Sequence, residues 1–107
     1  MLWRRRQKTK IGAAEALAGQ RAGELVLVDV REHSERARGD LRGSLHVPMA
    51  ELRARLAELP SDRPLAFVCA HGIRSAVAAR TARRAGLDAR SVAGGMAALE
   101  RQDRSSP

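Results

Sequence analysis

Cys69 is the only cysteine in the 107-residue chain, and the residues after it give it chemical meaning. Leu65-Ala66-Phe67-Val68-Cys69 reads as a short buried strand. Cys69-Ala70-His71-Gly72-Ile73-Arg74-Ser75 then leads into an alanine-rich stretch expected to be helical from about Ser75 to Ala85. A turn from a parallel strand into a helix aims several backbone N–H groups at one point, and the helix N-terminus adds partial positive charge there. A thiolate is an anion that fits such a point. The loop is therefore expected to hold the Cys69 pKa below the reference of about 8.5 and to leave the sulfur nucleophilic near neutral pH. Gly72 permits the sharp backbone path. Taken alone, Cys69 would read as a core thiol, because free cysteine is among the most buried residue types. The spacing to Gly72 and Arg74 favours the reactive reading.

Asp29 is the first polar side chain that the run Leu25-Val26-Leu27-Val28-Asp29-Val30 presents at a strand's carboxyl end, where open α/β sheets place their sites. Asp29 and Arg31 are expected to support the Cys69 loop from this neighbouring strand end through hydrogen bonds and an ion pair. The plainer alternative is a surface pair between Arg31 and Glu32 or Glu35. His71 reads equally as a residue at the pocket mouth and as a solvent-facing loop residue. His33 and His46 have no partner at ligand spacing, so no metal is expected, and a single cysteine rules out an intramolecular disulfide.

The elements that must position these groups alternate along the chain, as in an α/β domain with a mainly parallel sheet. A short strand at Thr9 to Ile11 precedes a helix from about Ala13 to Ala22, stopped by Gly23. Leu25 to Val30 is a continuous apolar strand of the kind buried on both faces. One or two helical turns follow between Arg31 and Arg38, then a tight connection through Gly39 and Gly43 and a strand from Ser44 to Val47. Pro48 opens a helix with Leu52, Leu56 and Leu59 at helical spacing, and Pro60 ends it. Gly94-Gly95 introduces a final helix and reads as a backbone requirement for close approach to the active side of the sheet.

A chain of this length fits one domain. Its boundaries are expected at a basic N-terminal extension over 1–8, a single domain over 9–102 and a tail over 103–107. Apolar content of 44% can sustain a core, although Trp3 and Phe67 are the only aromatic residues. The net charge of +8 raises nucleic-acid binding, but the chain has almost nothing to stack on bases and no zinc-finger or RNA-recognition signature. The charge is read as solvated helix faces, with a lesser role in drawing small anions inward. No signal peptide or membrane span is evident, so a reducing, cytoplasmic setting is expected. Trp3 followed by Arg4, Arg5 and Arg6 resembles the cytoplasmic flank of a membrane helix and leaves an upstream span open.

Four ordered landmarks resemble the rhodanese family. Cys69-Ala70-His71-Gly72-Ile73-Arg74-Ser75 is similar to its active-site loop, and Leu27-Val28-Asp29-Val30-Arg31-Glu32 to its Val-Asp-Val-Arg-Glu strand. The segments from Gly39 to Pro48 and from Val92 to Gly95 match two more. Asp40, Ser44 and Leu99 depart from the pattern where His, Ala and Trp are usual. The resemblance implies a rhodanese-like α/β fold, with a central, mainly parallel five-stranded sheet and helices on both faces.

It also implies sulfur transfer, with Cys69 carrying a persulfide taken from a donor such as thiosulfate and passed to cyanide or a thiol, a protein acceptor included. The backbone N–H groups from Ala70 to Ser75 (Ala70, His71, Gly72, Ile73, Arg74 and Ser75) would hold the anion, with no cofactor. Arg74 would brace the loop and in part meet the donor. Cysteine phosphatases place Arg six positions after Cys, whereas Arg74 is five on, which argues against phosphate or arsenate as substrate. A binding or regulatory module without turnover is the alternative from another class, and retention of Cys69 within a full loop weighs against it.

Overall fold

Five short parallel strands build the sheet in the computed structural model, which describes residues 8–39 and 41–105. Trp3, Arg4, Arg5, Arg6, Asp40 and the last two residues lie outside them. In chain order the elements are β1 (Lys10–Ile11), α1 (Ala13–Arg21), β2 (Val26–Asp29), α2 (His33–Ala37), β3 (Leu45–His46), α3 (Leu52–Arg55), β4 (Leu65–Val68), α4 (Ile73–Arg84), β5 (Ala89–Val92) and α5 (Gly95–Ser105). The strand order is β1-β5-β4-β2-β3, with every pairing parallel.

The apolar strands run through the middle because alternate side chains must be covered on both faces. On one side Val28, Val30, Leu65, Phe67 and Cys69 pack with Ala78, Ala79 and Ala82 of α4 and with Leu52 and Leu59. On the other, Leu27, Ala66, Val68 and Val92 meet Ala16 and Leu17 of α1 and Met96 and Leu99 of α5. Full burial of a side chain such as Phe67 or Leu27 is worth about 1.5–3 kcal/mol. Leu99 is fully buried and fills the place where the resemblance leads one to expect an aromatic ring.

Three expectations change in detail. The Leu52 segment is one α-helical turn between two 3-10 turns, Met49–Glu51 and Leu56–Glu58, and not a continuous helix. So short a segment has little cooperativity of its own, and its buried anchors at Leu52 and Leu59 set its winding. Helix α4 begins at Ile73 instead of Ser75, because Gly72 turns the chain at φ 108° and lets Ile73 and Arg74 wind into the first turn. The final helix runs on to Ser105, so the expected tail begins as helix, and Asp103 pairs with Arg21 of α1 at 2.7 Å. Among the described residues no helix is long and apolar enough to cross a membrane.

β4 and β2 are neighbours at the centre of the sheet, and the chain leaves them in opposite directions, β4 toward β5 and β2 toward β3. A crevice outside the strands' carboxyl ends follows from that divergence. Cys69 and the Asp29–Arg31 segment both end there.

Candidate active site

Cys69 lies one residue beyond β4 and is only 1% exposed. The short turn to Gly72 and the early start of α4 fold the chain back over the sulfur. Sγ accepts hydrogen bonds from the Gly72 N–H at 3.0 Å and the Ser75 N–H at 3.3 Å, and it lies 3.4 Å from Ser75 Oγ. Burial is the largest single influence on the thiol and opposes its ionisation. The Ser75 hydroxyl and the N–H groups of Ser75, Gly72 and His71 together outweigh it and hold the pKa below the ordinary thiol value. The result is a desolvated sulfur whose anion is already hydrogen-bonded, the condition for a poised nucleophile.

Ser75 is buried and central to this cage. Its Oγ also lies 3.2 Å from the Gly72 carbonyl and 2.6 Å from Oγ of Ser91 on β5. Ser91 was not singled out from the sequence. It becomes visible only through strand register, which sets it beside Phe67 on β4. On the far side of the loop, the Met96 N–H donates to the Cys69 carbonyl at 2.8 Å. A Cβ at Gly95 would collide with the carbonyl oxygens of Cys69 and Ala70, so the expected close approach at the glycine pair falls at Gly95.

Arg74 grips Glu35 of α2 with two hydrogen bonds, Nη1 to Oε1 at 2.7 Å and Nη2 to Oε2 at 2.8 Å. Glu35 also accepts the Glu32 N–H at 2.8 Å and closes the capping box of α2. The Arg74 hydrogen bonds pull the Glu35 carboxyl down to about 2, partial burial opposes the shift, and the Glu32 N–H and the charges of Arg74 and Arg31 add to it. The same pairing raises the Arg74 pKa. From sequence Glu35 enters only as a surface partner for Arg31. The Glu32-x-x-Glu35 capping pattern marks the start of α2 but says nothing of Arg74.

Asp29 ends β2, and Arg31 follows two residues on. They form a buried pair with each other: the Asp29 carboxylate accepts the Arg31 N–H at 2.9 Å, Nε at 3.0 and 3.2 Å and Nη2 at 2.9 Å. Arg31 Nη2 also donates to the Gly39 carbonyl at 2.6 Å. Strand alternation is the reason they do not touch the Cys69 loop directly. They fall on the Leu27 side of the sheet, whereas Cys69 falls on the Val28 side. The Arg31 bond to Gly39 ties the end of β2 to the far end of the segment that carries Glu35. His71 and Ile73 are exposed on the loop, and Ala70, next to Cys69, is partly covered. His46 Nε2 is 2.8 Å from the Arg31 carbonyl oxygen, and its ring meets that of His33 edge-on at 4.9 Å.

The rhodanese-like domain matches residues 12–102, nearly all of the described chain and the whole of this site. The chain belongs to the rhodanese-like family. Among curated proteins this rhodanese-like domain is 42% identical over 88 residues to the HTH-type transcriptional regulator Rv0324 of Mycobacterium tuberculosis, covering 80% of this chain and 39% of that one. The chain thus spans well under half the length of that relative. It is 34% identical over 77 residues to the putative sulfurtransferase YtwF of Bacillus subtilis, covering 72% of this chain and 75% of that one. Among solved structures, a rhodanese-related protein from Thermoplasma volcanium superposes with a TM-score of 0.81 at 31% identity, covering 92% of this chain and 95% of that one.

Proposed function

We propose that this rhodanese-like domain is a sulfurtransferase that moves a sulfane sulfur from an anionic donor, thiosulfate or a persulfide, to a thiophilic acceptor through a persulfide on Cys69. The observation that carries the reading is the position of Sγ at the focus of the Gly72 and Ser75 N–H groups. The Cys69 thiolate attacks the outer sulfur of thiosulfate, the S–S bond breaks, and sulfite leaves with the bonding electron pair. Cyanide or a thiolate then attacks the outer sulfur of the persulfide, and the electron pair of that S–S bond returns to Cys69. Neither step needs a cofactor.

The loop N–H groups would stabilise charge on the persulfide and on the departing sulfite, as an oxyanion hole does for acyl transfer. Arg74 supports the loop's shape through Glu35 and leaves donor recognition mainly to backbone groups. Likeness to a protein named as a putative sulfurtransferase supports the same chemistry. Incubation with thiosulfate should add the mass of one sulfur atom to the intact chain, and cyanide should then release thiocyanate and restore the original mass. Cys69→Ser should abolish both signals. A wild-type chain that gains no sulfur from thiosulfate or from small persulfides would leave the regulatory-module reading, which the likeness to a transcriptional regulator favours.

A further inference from the structure

Two buried serines from different elements meet behind the sulfur. Ser75 sits in the first turn of α4 with Oγ 3.4 Å from Cys69 Sγ, 3.2 Å from the Gly72 carbonyl and 2.6 Å from Ser91 Oγ. Ser91, 3% exposed on β5, uses its backbone N–H on the Thr9 carbonyl. Among the described residues its hydroxyl has one hydrogen-bond partner, Ser75 Oγ.

A hydroxyl has one proton and two acceptor positions, so a chain of hydroxyls has a direction. We infer that Ser91 is a positioning residue whose O–H donates to Ser75 Oγ and so leaves the Ser75 proton free to turn between the Gly72 carbonyl and the Cys69 sulfur. With a neutral thiol, the S–H points at Ser75 Oγ and the Ser75 proton rests on Gly72 O. When the thiol loses its proton to solvent, the Ser75 hydroxyl rotates and donates to the sulfur anion. No proton passes along the chain. Without the Ser91 donor, Ser75 Oγ loses a polarising hydrogen bond, and its own donation to sulfur weakens.

The groups that otherwise act on this sulfur leave room for such a relay. Arg74 on α4 is the charged side chain coupled to Cys69, and Glu35 on α2 faces it and neutralises it. His71 is exposed at the loop tip and contributes its N–H. On β4 and β5 the ionisable side chain is Arg90, which is in register with Ala66 on the opposite face from Phe67 and Ser91 and pairs with Asp88 at 3.8 Å.

The inference rests on Cys69 being the reacting group of the proposed sulfur transfer, but its test reads the thiolate directly. The chain has one cysteine and no tyrosine, so its thiolate ultraviolet absorbance can be followed against pH without tyrosinate interference. Ser91→Ala should raise the titration midpoint by roughly half to one pH unit, the scale of one hydrogen bond of about 1 kcal/mol. Ser75→Ala should raise it further, and the double variant should match Ser75→Ala alone, because Ser91 acts through Ser75. Ser91→Thr should keep the wild-type midpoint.

If alanine at position 91 impairs folding, the shape-matched pair Ser91→Thr and Ser91→Val makes the same comparison, with and without the hydroxyl. An unchanged midpoint in a cooperatively melting Ser91→Ala or Ser91→Val, or additive shifts in the double variant, would overturn the relay. Sulfur loading, read separately by mass in the same variants, distinguishes that failure from failure of the sulfurtransferase reading.

Discussion

Arg74 and Glu35 face each other across α4 and α2 with two parallel hydrogen bonds of 2.7 and 2.8 Å, one to each carboxylate oxygen. The pairing joins the helix after β4 to the helix after β2, on either side of the crevice. A planar guanidinium fork suits this task better than an ammonium, since both carboxylate oxygens are met at once.

The pair makes acid stability a measurable property of the site. Glu35 is held at about 2 in the folded chain against an ordinary 4.5. A lowered carboxyl pKa stabilises the fold above the ordinary value, and that contribution fades as pH falls from about 5 toward 2. Partial solvent access to both side chains limits its size to about 1–2 kcal/mol. Melting temperatures from neutral to acid pH should show Glu35→Gln less stable than wild type at pH 7 and converging with it in acid. Parallel curves would rule this assignment out. Arg74→Lys should recover only part of the wild-type stability.

Gly95 should tolerate no side chain. Its φ of 59° disfavours other residues, and a Cβ there would strike the Cys69 and Ala70 carbonyls. Gly95→Ala is expected to cost about 2–4 kcal/mol in urea unfolding and to reduce sulfur loading by displacing the loop backbone. Gly12→Ala, where the added Cβ meets nothing within 4 Å, is the control and should behave as wild type.

The Asp29–Arg31 pair is buried on both sides. Asp29→Asn strands a guanidinium charge and should cost about 3 kcal/mol by chemical denaturation. Replacing both residues by apolar ones of similar size should recover much of that loss. A double variant as unstable as the single one would mean that the hydrogen bond to Gly39, and not the desolvated charge, dominates.

The thiol should titrate below the ordinary range of about 8.5. Gly72→Ala, which forces a side chain onto a backbone at φ 108°, should move the Gly72 N–H off the sulfur and raise the midpoint. The pH dependence of Cys69 alkylation by iodoacetamide measures both, and a midpoint in the variant equal to wild type would separate the Gly72 N–H from the thiolate.

The sequence by itself determined the order of elements, the parallel sheet and the loop that carries Cys69. Each is local: apolar strands of four residues, helix stops, and a strand-to-helix turn with Gly72 at its bend leave their mark in neighbouring residues. The rhodanese-like resemblance was legible for the same reason, since its landmarks are short and ordered.

Only the tertiary structure decided which groups meet. Glu35 lies 39 positions from Arg74, and Ser91 lies 16 from Ser75. Nothing in the spacing of charges and hydroxyls along a chain states the register of strands or the face on which a side chain emerges. That is why Asp29 and Arg31, adjacent to the site in topology, turned out to hold each other. Parallel alternation sends them to one side of the sheet and the sulfur to the other, and only the packed sheet makes that assignment.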